Sequence, residues 1–141
     1  KNFIKGPFFL TYGDGISDVD IKRLHKFHFS HNKIATITAV HPISRFGEIT
    51  LSKDNIVKNF NEKPQVRNDW INGGFFVFNS EIFKFLRSDQ EILEKYPLQM
   101  LSKKNELRAY KHSKFWHCID TVRDIENATS LLKKMRLNAK K

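Results

Sequence analysis

A short apolar run that ends in a glycine-flanked aspartate constrains this chain more than any other feature. Phe8, Phe9, Leu10, Thr11 and Tyr12 show no polar alternation, as in a strand buried on both faces, and Gly13, Asp14 and Gly15 break the run. Asp14 therefore stands at the carboxyl end of a strand. Ser17 is placed to cap a helix with Asp18 and Asp20 in its first turn, an apolar face of Ile21, Leu24 and Phe27, and an end near Asn32 and Lys33. A second strand over 34–40 follows at once. This order predicts a βαβ unit with a right-handed crossover and parallel pairing.

The remaining pattern continues the alternation. Segments 46–51 and 56–60, separated by Asp54 and Asn55, predict a hairpin. An aperiodic stretch over 64–70 with Pro64, Asn68 and Asp69 leads through Trp70, Ile71, Asn72, Gly73 and Gly74 into a strand over 75–78. Ser80 is expected to cap a short helix carrying Ile82, Phe83, Phe85 and Leu86. Asp89 is expected to begin another, with Ile92, Leu93, Leu98 and Leu101, which Pro97 interrupts or starts afresh. Strands over 107–111 and 115–119 follow, and Thr121 caps a final helix with Val122, Ile125, Ala128, Leu131, Leu132 and Met135 inward. Strands alternating with helices predict an α/β domain with helices on both sheet faces.

A length of 141 residues with 13 Phe allows one core and is too short for two ordinary domains. The single cysteine, Cys118, excludes an intrachain disulfide framework and a multi-cysteine zinc site, and fits a reducing compartment. No apolar stretch reaches the roughly 20 residues that span a bilayer, and no signal-peptide order opens the chain, so a cytoplasmic protein without a membrane partner is expected. A formal net charge of +10 favours phosphate-bearing partners without choosing among them, and the lysines of the tail read as a solvated face. The start at Lys1, with a buried-strand pattern already at Phe8, reads as a fragment.

In open α/β sheets, ligands lie beyond the carboxyl ends of the strands. Asp14 and Asp120 both occupy such ends, and two carboxylates there suit Mg²⁺, which takes one or two protein carboxylates and fills its other positions with water and phosphate oxygens. An ordinary Asp-Gly turn and a helix-capping acid are the structural alternatives. Lys63 offers a point charge for a phosphate and Glu62 an acceptor for sugar hydroxyls, unless both simply end a solvated strand. Asn72 and Gly73 offer an amide beside approachable backbone, or else a β-bulge. His28 and His31 have helical spacing but no third ligand of metal spacing, and Ser17, Ser44 and Cys118 carry no nucleophile motif.

Taken in order, Thr11-Tyr12-Gly13-Asp14-Gly15, Arg45-Phe46-Gly47, Phe60-Asn61-Glu62-Lys63-Pro64, Trp70-Ile71-Asn72-Gly73-Gly74-Phe75-Phe76-Val77, and Phe115-Trp116 through Ile119-Asp120-Thr121 with Arg123-Asp124 resemble the glucose-1-phosphate cytidylyltransferases. The resemblance spans nearly the whole chain. It implies the Rossmann-like nucleotide-diphospho-sugar transferase fold, with a mixed, mostly parallel sheet, incomplete at its amino end. It implies a Mg²⁺-dependent reaction of CTP with glucose 1-phosphate that yields CDP-glucose and pyrophosphate, and a homo-oligomer at full length. Asp14 and Asp120 match the family's metal-binding aspartates, Gly13 a substrate-contacting backbone position, Lys63 the lysine on the sugar phosphate, and Glu62, Asn72 and Gly73 positions around the sugar.

The family's Gly-rich loop, Gly-Gly-x-Gly-Thr-Arg with a downstream lysine, does not occur here. Residues 1–141 are thus expected to be the carboxyl-terminal part of one nucleotidyltransferase domain, inactive alone and exposing a sheet edge beside residues 8–12. Other readings are a relative using another nucleotide or sugar, a split or degenerate subunit, and a basic nucleic-acid-binding module. The last lacks an RNA-binding signature, and its aromatics fall at core spacing, so no nucleic-acid partner is expected.

Overall fold

The computed structural model describes residues 3–44, 46–62, 64, 65 and 69–138, the last five by backbone alone. Arg45, Lys63, Asn68 and the side chain of Met135 lie outside the described residues. Four strands form the main sheet: β1 (Phe8–Thr11), β3 (Ala35–Val40), β6 (Ile71–Phe78) and β7 (Leu107–Lys111), in the order β1-β6-β3-β7. Strands β2 (Gly15–Ser17) and β8 (Trp116–Cys118) pair as a separate ribbon, and β4 (Glu48–Leu51) and β5 (Val57–Asn61) form the predicted hairpin. Helices α1 (Ile21–Phe29), α2 (Tyr96–Lys103) and α3 (Val122–Asn138), with a 3₁₀ helix at Ser80–Phe85, complete the described elements.

The expected parallel pairing of the first two long strands is corrected. β1 and β3 run in the same direction, but β6 lies between them and is antiparallel to both, while β3 and β7 form the parallel pair. The aromatic run of β6 explains the insertion: Phe76, Val77 and Phe78 are all buried, so this strand needs a neighbour on each side and cover on each face. One face stacks Phe78 against Phe8 and Ala35, and Phe76 against Leu10 and Ile37, and it packs on Ile82, Leu98 and Leu101 of the 3₁₀ helix and α2. On the other face Phe9 stacks on His25, and Thr36 meets His28, both from α1. Helices therefore cover both faces. Each buried phenylalanine stabilises this sandwich by about 1.5–3 kcal/mol.

Local boundaries moved for identifiable reasons. Ser17 does not cap α1, because residues 15–17 are drawn into the ribbon with β8; Asp20 does, its Oδ1 accepting the Arg23 N–H at 3.0 Å. The helix expected from Asp89 begins only at Tyr96, with Pro97 in its first turn, where a missing N–H costs nothing. The turn after Asn79 tightens to a 3₁₀ helix, and Ser80 lies inside it instead of capping it. Thr121 caps α3 as expected, in a reciprocal box: Asp124 N–H approaches Thr121 Oγ1 at 3.3 Å, and Asp124 Oδ2 accepts the Thr121 N–H at 2.8 Å. Among the described residues no helix is long and apolar enough to cross a membrane.

Candidate metal and phosphate site

The β2–β8 ribbon brings together the two aspartates singled out from the sequence. Gly15 pairs with Cys118, Ile16 with His117 and Ser17 with Trp116, and Ile119 N–H extends the ladder to the Asp14 carbonyl at 2.8 Å. Asp14 and Asp120 consequently leave the same end of the ribbon. Carboxylate oxygens of both and Cys118 Sγ all lie within 4.8 Å of one another, with both aspartates exposed.

Two carboxylates this close repel unless a cation lies between them. Burial first, then the charge of Asp14 and a hydrogen bond to Asp120, push the Cys118 thiol up to about 11, so near neutrality it is an S–H that donates to Asp120 Oδ1 at 3.5 Å. Here it donates to a carboxylate. The oxygens that remain form a hard donor set, which fits Mg²⁺.

Beside this cluster opens a cavity of about 370 Å³ lined by Asp120, Trp116, His117, Arg123, Ile71 and Ser44 among others. Arg123 is the guanidinium among the described lining residues. Just before α3, Asp124 Oδ2 accepts both the Asp120 N–H at 3.1 Å and the Thr121 N–H, which turns these two amides away from the cavity. Those bonds, the one to the Thr121 hydroxyl foremost, hold the Asp124 carboxyl below its ordinary value.

Asn72 and Gly73 sit in a β-bulge of β6, where the register with β3 shifts between Ile37 and Ala39. Gly74 has φ +75°, and a Cβ there would lie 2.8 Å from Tyr12 Cδ2; a Cβ on Gly73 would lie 2.8 Å from Val40 Cγ1. The bulge thus requires both glycines. Asn72 Nδ2 donates to Tyr12 Oη at 3.0 Å and its Oδ1 accepts the Gly74 N–H at 2.9 Å. Tyr12 Oη donates in turn to Glu94. Trp116 Nε1–H donates to the Gly73 carbonyl at 2.8 Å and so ties the ribbon to the bulge.

The other expected site residues are less closely gathered. Gly13 has open space where a Cβ would stand and no positive φ, so its conformational freedom is not used. Glu62 follows β5 and is exposed, outside the cavity lining. Its chain segment nevertheless runs beside the cavity wall, through the Ser44 N–H to Pro64 carbonyl bond at 2.9 Å and the Ile43–Gln65 bridge. Lys63 lies outside the described residues.

A serine, a histidine and an aspartate also meet in a way the sequence did not announce. Buried His112 Nε2 lies 3.2 Å from Ser17 Oγ, 3.0 Å from Asp18 Oδ1 and 3.1 Å from the Phe115 carbonyl. All three crowd one ring nitrogen, and the serine hydroxyl already donates to Phe115 at 2.8 Å. A nucleophile relay needs the serine and the acid on opposite nitrogens. This is a knot that holds β2 to the turn before β8.

A nucleotidyl transferase family model matches residues 2–135. Over 117 residues the chain is 43% identical to glucose-1-phosphate cytidylyltransferase of Salmonella typhi, covering 83% of this chain and 45% of that protein. It is 38% identical to a probable glucose-1-phosphate cytidylyltransferase of Bacillus subtilis, covering 84% and 46%, and 34% identical to a mannose-1-phosphate guanylyltransferase catalytic subunit beta of Drosophila pseudoobscura, covering 84% and 33%. The chain therefore spans less than half the length of these relatives. Similar folds occur in a putative glucose-1-phosphate thymidylyltransferase of Bacillus anthracis (TM-score 0.63, 16% identity, 90% of this chain and 55% of that one) and in HddC of Yersinia pseudotuberculosis (0.60, 21%, 93% and 58%). The chain belongs to the nucleotidyl transferase family, and its matched relatives are sugar-phosphate nucleotidyltransferases.

Proposed function

We propose that this chain forms the metal-binding and sugar-phosphate side of an enzyme that makes CDP-glucose and pyrophosphate from CTP and glucose 1-phosphate. The observation that carries the reading is the meeting of Asp14 and Asp120 at one end of the β2–β8 ribbon, beside a cavity containing Arg123. In the reaction an oxygen of the sugar phosphate attacks the α-phosphorus of the nucleotide, the bond to the β-phosphate oxygen breaks, and pyrophosphate leaves. Mg²⁺, when bound, offsets the charge that builds on the phosphoryl oxygens. Asp14 and Asp120 hold it. Lys63 neutralises the sugar phosphate, the Gly13 backbone contacts substrate, and Glu62, Asn72 and Gly73 orient the sugar. Asn72 has one amide hydrogen and one lone pair of Oδ1 left for this after its bonds to Tyr12 and Gly74.

CTP as the nucleotide is supported by the 43% match to a cytidylyltransferase against 34% to a guanylyltransferase. The full-length protein is taken to be a cytoplasmic homo-oligomer, the compartment resting on the lone cysteine. This chain by itself should release no pyrophosphate from CTP, glucose 1-phosphate and Mg²⁺. The decisive test is metal binding, followed by Mn²⁺ electron paramagnetic resonance. Asp14→Asn and Asp120→Asn should each weaken binding at least tenfold, and undiminished binding in both would remove the metal assignment.

A further inference from the structure

The carboxyl-terminal end of α1 is fastened to the sheet by a closed circuit of hydrogen bonds. Lys33 N–H donates to His31 Nδ1 at 3.1 Å; His31 Nε2 meets Thr36 Oγ1 at 2.8 Å; Thr36 Oγ1 meets His28 Nδ1 at 2.9 Å. His28 Nε2 meets Asn79 Oδ1 at 3.1 Å, and Asn79 Nδ2 returns to the Lys33 carbonyl at 3.0 Å. The ring begins and ends on Lys33. It joins α1 to the start of β3 and to the residue just after β6, with His28 2% exposed and Thr36 fully buried. Asn79 stands at the N-cap of the 3₁₀ helix without capping it, because its amide is committed here.

Donor and acceptor chemistry fixes the direction of the bonds at Lys33 and Asn79 and, for a neutral His28, of those at Thr36 as well. A carbonyl only accepts, so Asn79 Nδ2 faces Lys33 and Oδ1 faces His28, whose Nε2 must carry hydrogen. A main-chain N–H only donates, so His31 Nδ1 is bare and its Nε2 carries hydrogen toward Thr36. The threonine hydroxyl accepts that hydrogen and passes its own to His28 Nδ1. Both rings are thereby satisfied as neutral imidazoles of one tautomer.

We infer that this ring is an acid-sensitive latch: it closes only with His28 and His31 neutral and protonated on Nε2, and a proton on His31 Nδ1 opens it and frees the end of α1 from the sheet. Such a proton would point at the Lys33 N–H, two donors with no acceptor between them. The surroundings oppose it as well. The groups facing His31 are His28 from its own helix, Lys33 from the following turn and Arg108 from β7. Tyr110 of β7 faces Phe27, and the nearby carboxylate, Glu106, is engaged by Lys33 Nζ at 3.3 Å and by the Ile34 N–H. Burial above all, then repulsion from His28 once that ring also takes a proton, and from Arg108, keep the His31 imidazole below its ordinary value. A lowered value in the folded chain means that stability is full above the unfolded value of about 6.5 and is lost as pH falls through it toward the folded one.

Two measurements test the latch. Long-range proton–nitrogen NMR of the ¹⁵N-labelled chain at pH 7.5 should show both His28 and His31 in the Nε2–H form; an Nδ1–H pattern or the averaged pattern of a solvated ring at either overturns it. Urea unfolding should then be compared between wild type and His31→Gln, which retains a donor and cannot titrate. From pH 7.5 to 5.5 the wild-type unfolding constant should rise more than that of the variant, by up to about tenfold, the limit for a ring that takes no proton while folded. An equal rise overturns the proposal. If His31→Gln does not fold, the NMR titration decides: His31 taking its proton while the Thr36 and His28 signals stay unmoved overturns it.

Discussion

At Gly74 the handedness of the backbone limits this fold most directly. Its φ of +75° and the 2.8 Å approach to Tyr12 leave no room for a side chain, so Gly74→Ala should destabilise the chain by about 1–3 kcal/mol in urea unfolding. Phe76, fully buried between β1 and β3, should cost about 3–5 kcal/mol as Phe76→Ala. Tyr12 links the bulge to Glu94, and burial, then its hydrogen bond to that carboxylate, push its phenol up to about 12. The unfolded phenol ionises near pH 10, so the stability it contributes is complete below that and is lost as pH rises toward 12. Absorbance at 295 nm should show one of the three tyrosines titrating near pH 12 in the folded chain. The aspartates were legible because a carboxylate at a strand end stands out against apolar sequence. Cys118 was not, since a cysteine within a strand reads as a small apolar residue until its neighbours across the ribbon are known.

At the scale of elements, apolar runs revealed almost every strand but not which strands pair. Phe75, Phe76, Val77 and Phe78 announce a strand buried on both faces, yet nothing in them specifies β1 and β3 as neighbours; that follows from fitting the aromatic rings of Phe8, Phe76 and Phe78 into one layer. The three-residue strand β2 escaped for a different reason: it is too short to show a period and is defined only by its pairing with β8, which the run over 115–119 had announced. Trp116 is the side chain that fixes their ribbon to the bulge. Trp116→Phe keeps the ring but leaves the Gly73 carbonyl without its indole donor, and should cost about 1–3 kcal/mol. The Gly74 amide should shift in the NMR spectrum of the variant, whereas an unchanged spectrum would show that the ribbon is held by other contacts.

Across the whole molecule, much apolar surface faces solvent. Phe46 is 78% exposed, Phe60 61%, and Val122 at the start of α3 74%; among the described residues β1 at one sheet edge pairs on one side only, with β6. Such surface favours self-association, while a net charge of +10 opposes it. Association followed by sedimentation velocity should therefore increase as salt is raised from about 50 to 500 mM and screens the charge. Ile49 and Phe60 face each other across the β4–β5 hairpin, and replacing them with Ile49→Lys and Phe60→Lys should suppress the increase. The β2–β8 ribbon carries a consequence for how such a molecule is made. Its two strands lie far apart in sequence, so during synthesis Asp14 leaves the ribosome long before its partner exists, and much of the main sheet can gather while the ribbon is still open. Closing so long a loop is slow compared with forming helices and local hairpins. Tight cation binding should therefore appear as a late kinetic phase in refolding, after the aromatic core has formed, so that a bound ion marks a closed ribbon.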